Sequence, residues 1–283
     1  MNKRPVLTFA AVCYGLSIAI GLAVGLTGGH GSRLIGLGYA SMFVPAIAVV
    51  VVRAASREGP RIDWSRFPIR YIPVALLLIP GVLHAVMLPV TAALEGSLPW
   101  QGWLTPRQDG LYHAPVQFGW GALSVGGLAG RITIHALAGM IVVSMLALFE
   151  EIGWRGWLLP RLSEAMGARR AILVSSLMWG AWHLPYVLGG IYFDWQATRH
   201  AMLMAVSLPI GSLAFGLVIG WLWVRTESIW IVALAHGALN NWGQYAFKYM
   251  KDFSVASDAV VLDTGIFAVL VVGAVLVWRS AGY

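Results

Sequence analysis

The chain has 283 residues, 59% of them hydrophobic and only 11% charged, with a mean hydropathy of +0.75. Soluble domains carry about 25% charged residues, so this composition excludes a soluble globular fold, and the single cysteine, Cys13, excludes an intrachain disulfide framework. The net charge of +7 raises the question of a nucleic-acid partner, which the placement of the charges answers.

A bilayer-spanning helix needs about 20 mainly apolar residues, and backbone in lipid must satisfy its own hydrogen bonds, so long apolar blocks imply helices rather than strands. The first block, 6–27, follows Lys3 and Arg4. These charges resemble the start of a signal peptide, but the apolar stretch is too long and no small-x-small cleavage pattern follows, so a retained helix is expected. The second block, 34–52, carries Pro45; the third, 71–93, carries Pro80 and Pro89, at which, as at Pro209 further on, kinks are expected. The long connection 95–130 contains Trp100, Trp103 and Trp120 and is expected to lie outside, touching the membrane interface. Five more blocks follow at 132–150, 171–189, 201–224 (with Pro209), 228–247 and 260–278. The expected fold is all-α, a polytopic integral membrane protein of about eight transmembrane helices, with residues 1–283 forming a single transmembrane domain. Gly21-x-x-x-Gly25 and Gly216-x-x-x-Gly220 are read as helix-packing motifs.

With alternate loops placed on opposite sides, thirteen of the nineteen Lys and Arg residues fall on the side of the N-terminus and six on the other. Positive charge accumulates on the cytoplasmic side, so both termini are expected in the cytoplasm, most naturally of a bacterial inner membrane. The basic surplus then serves topology and contact with lipid headgroups, and no nucleic-acid partner is expected.

The chemistry-bearing residues lie in 145–245. Glu150 and Glu151 follow an apolar run, where carboxylates are costly unless paired or facing a polar cavity. Glu151 and Arg155 are four residues apart with the acid first, the favourable order for a helical ion pair, which leaves Glu150 unassigned. A charge cluster at a helix end explains the two glutamates equally well. His183 lies about a dozen residues into the fifth block, four residues after Trp179; a lone buried histidine is more often a hydrogen-bonded core residue, as His84 and His135 are read here. His236 and Asn240 are one helical turn apart on one face, and ordinary interhelical hydrogen bonding would also account for them.

Taken in order, Glu-Glu-x-x-x-Arg (Glu150, Glu151, Arg155), Trp-x-x-x-His (Trp179, His183) and His-x-x-x-Asn (His236, Asn240) resemble the motifs of the CAAX-protease and bacteriocin-processing family of intramembrane proteases, also called the CPBP or Abi family. The resemblance covers about 145–245. It implies an intramembrane endopeptidase acting on a peptide or membrane-anchored protein, with lipids as surroundings. It implies that Glu150 activates water, that Glu151 and Arg155 support it, that His183 helps hold the water, and that His236 and Asn240 stabilise the oxyanion. The family often has Phe where this chain has Trp179.

Glu, His, His and Asn supply a base and donors without a covalent nucleophile, and no Ser/His/Asp triad is evident at membrane depth. Glu150, His183 and His236 also form a zinc-type ligand set, so a divalent metal such as zinc and no metal at all both remain open. His-Glu-x-x-His is absent. The alternative reading is a non-enzymatic membrane scaffold, a bacteriocin-immunity protein or a transporter. A transporter would place broken helices in matching halves, whereas these motifs are confined to one half.

Overall fold

The computed structural model describes residues 3–96, 105–107, 109–113, 122–191, 201–243 and 255–279. Helices dominate, as the apolar blocks require. They are α1 (Lys3–Leu26), α2 (Val44–Ser56), α3 (Ile72–Glu95), α4 (Val125–Met166), α5 (Ala168–Trp182), the short α6 (Leu184–Leu188), α7 (Ala201–Thr226), α8 (Ile229–Ala238) and α9 (Val255–Arg279). Seven helical segments among the described residues are long and apolar enough to cross a membrane. The expected seventh block is α8, which runs on through a π-helical turn to Gly243. The chain is a polytopic helical membrane protein. Expectations for Trp100, Trp103 and Trp120 fall outside the described residues. The connection contains a small antiparallel sheet, Thr105–Pro106 with Tyr112–His113 with Ala122–Leu123, which hydropathy did not anticipate because each strand is two residues long.

Pro45 lies within the span 37–56, as expected, and sits in the first turn of α2, where its missing N–H costs nothing. One boundary differs from expectation. The fourth span does not end at 150: α4 is continuous for 42 residues. At about 1.5 Å per residue it is roughly 63 Å long, about twice the hydrocarbon thickness. It starts on Ser124, whose side chain accepts from Gly127 N–H, and ends at Gly167, whose φ of 80° favours glycine. Two π-helical turns interrupt it, His135–Gly139 and Trp154–Leu158, and such turns are frequent at functional sites.

Helix α8 forms the centre. Ile229, Ile231, Val232, Ala233, Ala235, His236, Gly237 and Ala238 are all buried, as expected of a helix apolar all round, and it packs against α3, α4 and α7. Helix α7 packs on α5 and α9, α9 on α3, and α1 on α2 and α6. The glycine motifs set the close crossings. A Cβ at Gly21 would collide with the Pro185 carbonyl oxygen, and one at Gly25 would lie 3.2 Å from Gly189 Cα. Gly216 faces Ser176 and Gly220 faces Ile172. Gly237 is the tightest, because a Cβ there would strike the Ser144 side chain and lie 2.7 Å from Ser144 Cα. The α4 and α8 backbones therefore meet next to His236.

A candidate active site between α4, α5 and α8

Glu150, Glu151 and Arg155 lie within α4, not at its end, and their relative exposures are 4%, 0% and 1%. The helix continues because the charges are partnered inside the protein. Arg155 Nη1 donates to Glu151 Oε1 at 2.9 Å, the expected pair. The same oxygen accepts from His236 Nδ1 at 2.8 Å, across from α8. Glu151 thus carries two partners on one oxygen and joins the two helices. Among the described residues, Glu151 Oε2 and Arg155 Nη2 have no hydrogen-bond partner, so the pair is held at one point rather than as a fork. The guanidinium is steadied instead by the Trp179 ring, with its carbon 4.7 Å from the ring centroid.

Glu150 points elsewhere. Its Oε2 accepts from the Trp179 indole N–H at 3.0 Å, a fully buried bond, and it has no ion pair among the described residues. Trp179 also makes edge contacts with His183 and His236, at centroid distances of 5.3 and 5.2 Å. His183 caps α5 just where the helix breaks before Pro185. Its Nδ1 lies 2.8 Å from the Trp179 carbonyl. A carbonyl only accepts, so Nδ1 carries the hydrogen and a neutral ring presents Nε2 as an acceptor. Asn240 is half-buried in the π-helical turn after α8, with no hydrogen bond among the described residues. Its neighbour Asn241 is buried and donates to the carbonyls of His135 and Ala136, at 3.3 and 3.4 Å. The first π-helical turn of α4 supplies these carbonyls. The structure thus brings Glu150, Glu151, Arg155, His183 and His236 around Trp179, and leaves Asn240 near the group but unbonded to it. His84 is an ordinary core histidine, with Nδ1 donating to the Pro80 carbonyl at 2.7 Å.

The metal expectation meets a different geometry. Among the described residues no three His, Cys, Asp or Glu side chains gather closely enough to hold an ion. Glu150 is turned to Trp179 and His236 to Glu151, so Glu150, His183 and His236 do not fit a resident metal as arranged.

Two features were not legible in the sequence. The first is Trp179, whose spacing from His183 was noted but whose N–H had no partner in view. The second is the loop 57–71, read only as a basic loop, which straps the site. Trp157 Nε1 donates to the Glu58 carbonyl, and Arg161 binds the Glu58 carboxylate and the carbonyls of Trp157 and Gly59. Arg61 N–H donates to the Gly156 carbonyl in the second π-helical turn, and its side chain pairs with Glu164. Further on, Arg66 Nε donates to the Thr226 carbonyl and pairs with Glu227, Ser228 Oγ donates to the Arg66 carbonyl, and Trp230 Nε1 donates to the Trp64 carbonyl. In the same loop, hydrogen bonds from Ser65 hold the Asp63 carboxyl below its ordinary range. Beside the strap, an apolar groove of about 160 Å³ runs between α4 and α8, lined by Phe67, Ile141, Met145, Leu148, Trp230 and Leu234.

Part of the chain is similar to known proteins. The sequence model of the type II CAAX prenyl endopeptidase Rce1-like family matches residues 131–242. A "CAAX prenyl protease 2" of Methanococcus maripaludis is 21% identical over 137 residues, which is 48% of this chain and 48% of that protein. The match thus spans about half the length of that curated relative. The family-model match contains the two glutamates, Arg155, both histidines and Asn240, and residues 131–242 are on this ground similar to the CAAX-protease family.

Proposed function

We propose that the protein is an intramembrane endopeptidase that hydrolyses a peptide bond in a peptide or membrane-anchored protein. The observation that carries this reading is the division of labour between the two buried glutamates. Glu151 is committed to Arg155 and His236, whereas Glu150 spends one oxygen on an indole N–H and, among the described residues, has no cation bonded to it. A carboxylate held in that way can take a proton.

In the proposed reaction Glu150 removes a proton from water as the water oxygen attacks the substrate carbonyl carbon. The Nε2 lone pair of His183 accepts the second water hydrogen and orients it. His236, held through Nδ1 by Glu151, and the Asn240 amide are the donors to the developing oxyanion. The tetrahedral intermediate collapses as Glu150 returns its proton to the leaving amine. No step is routed through a metal. The protein is proposed to lie in a bacterial inner membrane with both termini in the cytoplasm, following the charge bias of its loops, and to form one transmembrane unit.

The test uses the full-length protein in lipid nanodiscs with two fluorogenic peptides of one sequence, with and without a farnesylated cysteine. Wild type is expected to cleave at least one of them in the presence of a chelator. Glu150→Gln, His183→Ala and His236→Ala are expected to fold and to lose at least a hundredfold in rate, consistent with the roughly 10²–10⁴-fold worth of general acid–base catalysis. Full activity of Glu150→Gln would make the motifs structural and leave a scaffold.

A further inference from the structure

Trp179 touches Glu150, Arg155, His183 and His236, yet nothing in the proposed chemistry uses it. It is 2% exposed and Glu150 4%, and the bond from its Nε1–H to Glu150 Oε2 is 3.0 Å long. The residue is built in from three further directions. Its carbonyl holds His183 Nδ1 at 2.8 Å, its ring lies under the Arg155 guanidinium at 4.7 Å, and its edge meets His236 at a centroid distance of 5.2 Å. Behind it, a Cβ at Gly180 would lie 2.6 Å from the Pro209 carbonyl oxygen, so α5 is pressed against α7 and cannot shift backwards. An indole fixed in this way is a rigid donor. It offers one N–H and no acceptor, and Glu150 is the group it meets.

We infer that Trp179 is the positioning residue of Glu150: its indole N–H holds Oε2 and so turns Oε1 towards the place where water is activated. This inference rests on the proteolytic reading and deepens it. A carboxylate rotates freely about its last torsion, and with one oxygen anchored the other has a fixed direction. A phenylalanine at 179 would keep the ring beneath Arg155 and between the histidines but could not anchor Glu150. In this chain the indole thus gives Glu150 an anchor that ring packing alone does not supply.

The experiment separates the anchor from the packing. Trp179→Phe and an isosteric replacement of Trp179 by 3-benzothienylalanine, which keeps the bicyclic shape and lacks the N–H, are prepared as full-length protein in nanodiscs. The isostere decides the matter if the phenylalanine variant does not fold. On the fluorogenic peptides kcat is expected to fall at least tenfold with KM within about twofold, since a misplacement of about 1 Å can cost about a hundredfold. Independently of any substrate, the carboxylate stretching bands of Glu150, identified by the infrared difference against Glu150→Gln, are expected to shift in both variants. Unmoved Glu150 bands, or a kcat within twofold of wild type, would overturn the assignment. If wild type cleaves neither peptide, the proteolytic reading fails separately, and the infrared bands alone decide whether Trp179 anchors Glu150.

Discussion

Replacing Glu151 by alanine should cost more stability than replacing Glu150, although the two residues are adjacent and equally buried. Glu151→Ala removes the acceptor of both Arg155 and His236 and strands a guanidinium that is 1% exposed. Breaking a buried ion pair from one side costs about 3–5 kcal/mol. Glu150→Ala removes the partner of one indole N–H, and an orphaned buried donor costs about 1–3 kcal/mol. The expected gap is thus about 2 kcal/mol, or about 4–8 °C in unfolding midpoint at the sensitivity of a chain of roughly this size. Thermal unfolding in detergent, followed by tryptophan fluorescence, measures it directly. Adding Arg155→Met to Glu151→Ala should recover part of the loss, because the stranded cation is gone. Equal midpoints for the two single variants, or no recovery in the double variant, would refute the pairing as the source of the difference.

Gly237→Ala would push a methyl group into Ser144, and overpacking of this kind costs about 1–3 kcal/mol; its unfolding midpoint should fall, and activity with it, because His236 is the preceding residue. Gly81→Ala is the control, with no atom within 4 Å of the added Cβ in the middle of α3, and should raise stability by about 0.4–1 kcal/mol. Arg161→Ala should open the strap, read as faster proteolysis within 57–71, since Arg161 binds Glu58, Trp157 and Gly59 together. Arg66→Ala should change the midpoint little through its ion pair with Glu227, because both side chains are about half exposed or more and such pairs contribute about 0–1 kcal/mol; any larger drop would have to come from the lost bond to the Thr226 carbonyl.

The spans were legible because apolar blocks of bilayer length carry their own signal. The continuation of α4 past Phe149 was not, because hydropathy registers Glu150, Glu151 and Arg155 as the end of a block, whereas in the fold they are paired inside it. The Glu151–Arg155 contact could be read from a spacing of four, but the third member, His236, lies 85 residues further on and no local pattern announces it. The strap shows the same limit. Arg161 and Glu58 are 103 residues apart, so the arginines of this region looked like topological charge. Trp179 was visible as an aromatic residue one turn before His183, but the donor role of its N–H needed the neighbouring helix in place.

The contact between Trp64 and Trp230, with ring centroids 5.7 Å apart, fixes a depth. Tryptophans collect at the membrane–water boundary, and these two sit where the strap joins the start of α8. From Trp230 to His236 is six residues along one helix, roughly 9 Å at 1.5 Å per residue, within a hydrocarbon layer of about 30 Å. On the proposed proteolytic reading, a site this close to the tryptophan pair would be reached by water over less than two helical turns, and the chain being cut would need only to dip beneath the headgroups, with no need to cross.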